Sequence, residues 1–370
     1  MTQSIFLEIS ETFKIDITQA RFSFSVVSLF YAVSFFFIGP AVDKYSLPMV
    51  ALSGLLLLSL SVFSASYVNH FDSFVFIMGV IGFCAAVIPA SMFPYVVTTA
   101  PQNKTGFYVG AIVASATLGV VLGRVLMGIL TSLVGWRFSF RIFVLLLVFF
   151  LFLAFIYLVK NQSTPPKAPK KDSLLNCYKN SVSLIITPKV IPLLLAGFGL
   201  FFGFLGMITF LTYRLVEPPF NFSAGEVGWV SFAGLTAIIA PLSGNISQKT
   251  GVFKIILPGL IICFLALQLM GWFDSVFLIV LSLLFLFLGV YSCQPLIFLL
   301  IGKNVSKESI GSASSLYILF CIGEGSLSSI VLGSVWENHG WAGITIACSL
   351  SILSALLLMT ITYVKSITTK

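Results

Sequence analysis

Residues 139–159 read SFRIFVLLLVFFLFLAFIYLV, and Arg141 is the only charged side chain in this stretch. A helix needs about 20 mainly apolar residues to cross the hydrocarbon core of a bilayer. The apolar residues follow one another without alternating, which favours a helix over a strand of a membrane barrel. The segment therefore predicts a membrane-spanning helix.

Ten further segments share this pattern, so the sequence predicts eleven spans. The other ten cover residues 22–39, 48–67, 74–95, 106–133, 190–212, 227–244, 254–272, 276–301, 311–335 and 341–364. Apolar residues make up 58% of the chain and charged residues only 9%, whereas a soluble domain has about 25% charged residues. We therefore predict an all-α polytopic membrane protein without a soluble catalytic domain.

Residues 160–189 interrupt the apolar pattern with a basic segment that contains three closely spaced prolines. Prolines break helices, and a cluster of lysines is typical of a solvated connection. The segment is predicted to be a linker. It divides the chain into an N-terminal bundle of five spans, residues 1–159, and a C-terminal bundle of six, residues 190–370.

The distribution of positive charge predicts the orientation in the membrane. Loops alternate between the two sides, and fourteen of the 20 Lys and Arg residues lie on the side of the linker, against five on the other. By the positive-inside rule, the linker and the C-terminus are cytoplasmic and the N-terminus is external. The net charge of +8 therefore reflects short membrane loops and not a surface for nucleic acid.

Signals for catalysis are missing from the sequence. Five of the six cysteines lie inside apolar segments and none forms a CxxC pair, so neither a disulfide framework nor a metal site is predicted. The sequence contains no P-loop, HExxH or GxSxG motif. We expect no enzyme activity, no cofactor and no ATP-driven pump.

The two halves of the chain repeat one another at an offset of 205 residues. Three residues of the first half, Gly39, Asp43 and Lys44, correspond to Gly244, Gln248 and Lys249. Three glycines follow the same offset: Gly106, Gly128 and Gly135 recur as Gly311, Gly333 and Gly340. Repeats of this kind are typical of transporters whose substrate site lies between the halves.

The repeat also predicts a helix that this chain does not contain. The first span of the second half, residues 190–212, would have its partner almost wholly before Met1. We therefore expect a protein of twelve helices whose first helix is missing here. Thr18 corresponds to Ser223, and each is expected to cap the helix that follows it.

Two six-helix halves joined by a basic linker resemble the major facilitator superfamily. That family carries a motif G-x-x-x-D-[RK]-x-G-[RK] between its second and third helices. Residues 39–47, GPAVDKYSL, keep its first glycine, its acid and one base, and residues 244–252, GNISQKTGV, keep both glycines and one base. The resemblance implies that Gly39, Asp43, Lys44 and their counterparts Gly244, Gln248, Lys249 and Gly251 act in gating. The alternative is a plain solvated turn.

The predicted span 106–133, the fifth helix of the expected twelve, indicates which branch of the family the chain resembles. Gly119, Gly123 and Gly128 accompany Arg124, and Gly135-Trp136-Arg137 follows, which resembles bacterial arabinose-efflux-like and drug–proton antiporter permeases. The resemblance implies proton-coupled efflux of a small molecule by a monomer in the bacterial inner membrane. Two features depart from it: the proline of the antiporter motif is absent, and Met78 stands where many antiporters have an arginine.

The three glycines Gly119, Gly123 and Gly128 are expected to let another helix approach closely, since small residues favour helix contacts in membranes.

Two charged residues lie well inside predicted spans, Arg124 and Glu324. Charges in a membrane are expensive and usually functional. Arg124 would attract an anionic or polar substrate, and Glu324 would bind a cationic group or take up a proton. The alternatives are a structural role in hydrogen bonds between helices, or an ion pair between the two.

Three other polar or aromatic side chains in the later spans are candidates for the substrate cavity, although packing explains each equally well: Tyr291, Gln294 and Gln268.

The function predicted is a secondary transporter that works by alternating access. Alternatives are an uptake permease for a nutrient, metabolite or siderophore, a non-transporting receptor or scaffold, and a membrane-embedded lipid or isoprenoid transferase. The last would need clustered charged residues at one membrane face.

Overall fold

The structure is a computed structural model. It describes residues 5–160, 174–222 and 227–368, and it leaves out the side chains of 159–160, 174, 228–231, 324–327 and 329–330. Helix accounts for nearly all of the described chain, as the continuous apolar segments predict.

Seven helices precede residue 190, and the sixth runs on into a short π-helical turn, Ile156–Lys160. They are α1 (Phe6–Phe13), α2 (Ile17–Lys44), α3 (Leu47–Ala65), α4 (Phe71–Thr99), α5 (Thr105–Val134), α6 (Trp136–Phe155) and α7 (Leu174–Ile185). Five of them, α2 to α6, are long and apolar enough to cross a membrane. They coincide with the five spans predicted for the N-terminal bundle.

The remainder of the described chain contains five helices and one 3₁₀ segment, Gly228–Ile238. The helices are α8 (Ile191–Val216), α9 (Ile239–Thr250), α10 (Phe253–Trp272), α11 (Val276–Asn304) and α12 (Ile310–Thr368). Helix α12 is interrupted at Gly340, where the backbone leaves helical geometry. Four further spans lie here: α8, α10, α11 and the part of α12 from Val331 onward.

Nine spans are thus found within the described residues, against eleven predicted. The predicted span 227–244 is divided between the 3₁₀ segment and the short helix α9. The predicted span 311–335 includes a shorter apolar helix, Ile310–Gly323. A hydropathy window registers apolar composition and not helix type, which explains the first difference. In the second, α12 continues past Gly323, and the side chains of 324–327 and 329–330 lie outside the described residues. The helix expected before Met1 remains a prediction.

The N-terminal residues form a short amphipathic helix that hydropathy did not predict. Helix α1 buries Ile9, and the Thr12 hydroxyl accepts a 2.9 Å hydrogen bond from Trp136 Nε1. Ile5 and Ile9 are fully buried in a cluster that includes Phe74, Met78 and Phe140 among its members. The segment before α2 is therefore part of the folded core.

The cap of α2 differs from the prediction. Asp16, and not Thr18, is the N-cap residue, and Gln19 completes a capping box with it. Hydrogen bonds from the Thr18 hydroxyl and from the Thr18 backbone N–H, the latter to Asp16 Oδ2 at 3.2 Å, lower the pKa of Asp16. A carboxylate two residues earlier reaches the free N–H groups of the first turn better than the Thr18 hydroxyl, which already lies inside the helix. Ser223 lies outside the described residues.

One pair of glycines in the internal repeat shares an unusual backbone geometry. Gly135 has φ +77° and its counterpart Gly340 has φ +57°. An L-residue with a side chain is strained in this region, whereas glycine is not. Both glycines immediately precede a tryptophan that continues a helix, so the repeat seen in the sequence is also a repeat of local structure.

The chain forms two compact units, and neither is a continuous stretch of sequence. Unit 1 consists of residues 1–98, 119–181 and 308–315, and unit 2 of residues 99–118, 182–307 and 316–370. Unit 1 thus takes in the start of α12, and unit 2 takes in the start of α5. The two helix starts that cross over, Thr105 and Ile310, are related by the 205-residue repeat.

Candidate functional site

The strongest candidate site in unit 1 surrounds Asp43, near the end of α2. Its carboxylate accepts hydrogen bonds from the backbone N–H groups of Gly311 and Ser312, at 2.8 and 3.0 Å, and from the Ser312 hydroxyl at 2.5 Å. The first N–H groups of a helix lack partners inside the helix and carry its positive dipole end. Asp43 therefore binds the start of α12 as an external carboxylate cap, which we call the Asp43 clamp.

Glycines make this clamp sterically possible. A Cβ added to Gly39 would lie 2.9 Å from Ser315 Cβ and 3.2 Å from Ser312 Cα. A Cβ added to Gly311 would lie 2.7 Å from Asp43 Oδ1. All three distances are shorter than ordinary van der Waals contacts. The first motif glycine is thus needed for close approach of α2 to α12.

The linker contributes a helix to the same site, which the sequence did not indicate. The Ser181 hydroxyl on α7 donates to the Ser312 hydroxyl at 2.6 Å, and the Tyr178 hydroxyl donates to the Phe37 carbonyl at 2.8 Å. Burial raises the pKa of Tyr178, so it remains a donor at physiological pH. Helix α7 therefore contacts both α2 and the residue that binds Asp43. The sequence predicted only a linker here, whereas residues Leu174–Ile185 form a helix.

The second copy of the motif lies in unit 2 and is built differently. A Cβ on Gly106 would lie 2.5 Å from the Gly244 carbonyl oxygen, and one on Gly244 would overlap the Gly106 carbonyl. The backbones of α5 and α9 therefore touch directly. Gln248 replaces the acid, and its side-chain oxygen is buried without a hydrogen-bond partner among the described residues. This copy holds two helices together by backbone packing and not by charge.

The remaining motif residues lie at the helix ends. Lys44 stacks over the Tyr45 ring, with its ammonium 5.8 Å from the ring centroid. Gly251 follows α9 with φ +98°, and its N–H donates to the Ser247 carbonyl at 2.8 Å. Lys249 is exposed in the last turn of α9. Gly251 thus ends the helix and Lys249 stays in solvent.

The two intramembrane charges are Arg124 in α5 and Glu324 in α12. Arg124 is half-buried within α5, in unit 1, and it has an interaction partner. Glu324 lies within α12, but its side chain is outside the described residues. The proposed roles of both remain predictions.

The cavity candidates have varied surroundings in unit 2. Gln268 bridges two helices, since its Nε2 donates to Ser349 Oγ at 2.6 Å and its Oε1 accepts from Trp272 Nε1 at 2.9 Å. Tyr291 is buried, with its ring centroid 5.9 Å from that of Phe287. The Gln294 side-chain oxygen is buried and has no hydrogen-bond partner in the described part of the chain.

The glycines of α5 divide into two sets. A Cβ on Gly119 or Gly128 would meet no described atom within 4 Å. Close helix contact occurs earlier, at Gly106 and at Gly110, where a Cβ would overlap the Ala240 carbonyl. The packing role expected for Gly119, Gly123 and Gly128 remains a prediction.

Met78 occupies the position at which the resembling antiporters carry an arginine. Its side chain is 1% exposed and packs in the apolar cluster with Phe74 and Trp136. The described members of this cluster are apolar, which suits methionine at this position. Within the described residues, no group of three or more His, Cys, Asp or Glu side chains is arranged to hold a metal ion.

Comparison with known proteins gives a consistent result. The profile of the Major Facilitator Superfamily matches residues 1–330. An uncharacterized transporter of Buchnera aphidicola subsp. Schizaphis graminum is 26% identical over 359 residues, covering 96% of this chain and 85% of the relative. The inner membrane transport protein YnfM of Escherichia coli is 24% identical, covering 97% and 85%. The crystal structure of a bacterial homologue of the iron transporter ferroportin superposes with a TM-score of 0.79 at 13% identity, covering 98% and 96%.

Proposed function

This chain belongs to the Major Facilitator Superfamily and is a multi-pass secondary transporter, and we propose that it exports a small molecule in exchange for protons. The export and the proton exchange rest on the resemblance of helix α5 to efflux permeases and on Glu324 inside α12. Uptake of a small molecule is the alternative direction.

The observation that supports alternating access is the Asp43 clamp. A hydrogen bond to a charged group contributes about 1.5–3 kcal/mol, and Asp43 accepts three such bonds from one helix start. The clamp ties a helix of the first half to a helix of the second on the predicted cytoplasmic side. When it forms, that side is closed, and when it breaks, the helix starts can separate.

Alternating access needs two states of similar free energy. The clamp stabilises one state by a few kcal/mol, an amount that binding of substrate or a proton can offset. The second motif copy lacks a carboxylate, since Gln248 takes its place. The charge-dependent part of this closed state therefore resides in unit 1.

The direction and the coupling can be tested together in inverted membrane vesicles. Respiration acidifies their interior, and a pH-sensitive dye reports the gradient. Ethidium and L-arabinose are suitable probes because they represent the two permease groups that the sequence resembles. We expect one of them to enter the vesicles while protons leave, and we expect Glu324→Gln to abolish the proton signal.

Glu217→Gln is the matched control, because Glu217 is exposed at the end of α8. It should leave the signal unchanged. Accumulation of a probe without proton release would contradict proton exchange. Movement of a probe out of inverted vesicles would favour uptake over export.

A further inference from the structure

A polar cavity lies within unit 2. It has a volume of about 740 Å³ and is bounded by the α4–α5 loop, the end of α9, the start of α10 and the end of α11. Three lysines line it, Lys104, Lys249 and Lys303, together with the amide side chains of Gln102 and Asn103. Its size is typical of a small-ligand pocket.

The charge around this cavity is of one sign. All three lysines are exposed, and none of the side chains that line the cavity in the described part of the chain is Asp or Glu. Three ammonium groups around one space repel one another unless an anion lies between them. The cavity therefore favours a negatively charged occupant.

Two helix starts add to this preference. Helix α5 begins at Thr105, directly after Lys104, and α10 begins at Phe253, directly after Val252, which also lines the cavity. Val252 provides no side-chain cap for α10. The first N–H groups of a helix without a capping side chain form a natural site for phosphate.

We propose that this cavity binds a phosphate group, presented by the headgroup of an anionic lipid. The lysines lie at helix ends on the predicted cytoplasmic side, which is where clustered basic residues bind anionic headgroups. Gln248 also lines the cavity. Its amide can turn to present its N–H groups to a phosphate oxygen.

The proposed phosphate supplies the charge that the second motif copy lacks. In unit 1 the carboxylate of Asp43 ties two helices together, whereas in unit 2 the equivalent position is the neutral Gln248. A phosphate between Lys104 and Lys249 would connect the start of α5 to the end of α9. It would thereby strengthen the contact of Gly106 with Gly244, and lipid composition would bias the closed state.

Native mass spectrometry of the full chain in detergent tests this proposal. The probes are phosphatidylglycerol and, as a neutral reference, phosphatidylcholine. We expect Lys104→Gln/Lys249→Gln/Lys303→Gln to bind phosphatidylglycerol roughly a hundredfold more weakly than wild type, from about 1 kcal/mol per lysine. Binding of phosphatidylcholine should not change.

The matched control replaces three exposed lysines on the same predicted side but outside the cavity, Lys179, Lys189 and Lys307. It removes the same charge and should keep wild-type binding of phosphatidylglycerol. Equal loss in both triple variants, or loss in neither, would overturn the proposal. If the cavity variant is recovered poorly, the three single substitutions provide the same comparison on folded protein.

A second arm distinguishes the lipid from a free ion. Inorganic phosphate is titrated against wild type and both triple variants while the melting temperature is followed. The lipid headgroup is identified if phosphatidylglycerol raises the melting temperature and inorganic phosphate does not. This rise should depend on Lys104, Lys249 and Lys303. If millimolar inorganic phosphate raises the melting temperature as much, and the rise depends on the same lysines, the cavity is a phosphate site but its ligand is the free ion. The readouts need no transport substrate, so they are independent of the proposed export.

Discussion

At the residue scale, Asp43 illustrates how one carboxylate can control a helix contact. Its two oxygens are shared among three donors of Gly311 and Ser312. The donor hydroxyl of Ser312 in turn accepts from Ser181 of the linker helix. A single side chain thus connects α2, α12 and α7.

We predict that Asp43→Asn weakens the clamp. Asparagine has a similar shape, but it loses the charge and one of the two acceptor oxygens. The closed arrangement should be destabilised enough to expose Ser315, now buried against Gly39. In a Ser315→Cys background, labelling by a membrane-impermeant maleimide in inverted vesicles should accelerate roughly tenfold, as expected for the loss of one charged hydrogen bond.

The matched control for this experiment is Asp274→Asn. Asp274 is an exposed carboxylate that pairs with Arg214 at 2.8 Å, so the same chemical change occurs away from the clamp. Labelling of Ser315→Cys should stay at its original rate. An unchanged rate in Asp43→Asn as well would show that Asp43 does not hold the helices together.

At the scale of secondary structure elements, helix α5 changes character along its length. Its first turns touch α9 through Gly106 and Gly110, while a Cβ on Gly119 or Gly128 would meet no described atom within 4 Å. Glycine therefore has different roles at positions that look alike in the sequence. A glycine packed against another helix cannot be replaced by a larger residue without overlap, whereas a glycine with no neighbouring atom can.

The substitutions Gly110→Ala and Gly119→Ala test this difference within one helix. An added methyl at Gly110 would overlap the Ala240 carbonyl, and forcing extra atoms into packed contacts typically costs about 1–3 kcal/mol. We expect its melting temperature in detergent to fall by several degrees. Gly119→Ala should be neutral or slightly stabilising, since alanine favours helix by up to about 1 kcal/mol over glycine. Equal melting temperatures would mean that the α5–α9 contact carries little stability.

The elements also show the limits of hydropathy. Residues 227–244 are as apolar as a span, yet the structure has a 3₁₀ segment followed by the start of α9. In lipid and in the packed bundle alike, apolar side chains are favoured. Composition therefore predicts membrane location well and helix type poorly.

At the scale of the whole molecule, each compact unit includes a piece from the other half of the chain. Unit 1 includes residues 308–315 and unit 2 includes residues 99–118. The Asp43 clamp and the Gly106–Gly244 contact are among the interactions that hold these pieces. Neither half of the sequence completes a unit alone.

We predict that a chain divided after Pro166, within the predicted linker, reassembles. Fragments 1–166 and 167–370, produced together, should copurify in detergent through a tag on one of them, because each supplies a piece of the other's unit. Introducing Gly39→Val and Gly244→Val should reduce recovery of the untagged fragment severalfold, since both added side chains would collide with the crossing helix.

Gly119→Val in the same divided chain is the control, because its surroundings are open in the described residues. It should leave recovery unchanged. Failure of the unmodified fragments to copurify would show that the crossing pieces do not hold the halves together.

The sequence by itself determined the membrane-embedded helical class, the two halves and the 205-residue repeat. These properties follow from composition and from local patterns, namely the apolar segments and the motif residues that recur in the second half. The motif also identified Asp43 as a candidate, because the family it resembles carries an acid at this position and an acid can pair with helix termini.

Only the tertiary structure decided what those residues contact. It paired Asp43 with the start of α12, brought the linker helix α7 to the same place, opposed Gly106 to Gly244, and gathered Lys104, Lys249 and Lys303 around one cavity. The physical reason is that lipid-facing and protein-facing surfaces are both apolar, so hydrophobic periodicity does not select partners between helices. Close packing and polar groups distant in sequence select them instead.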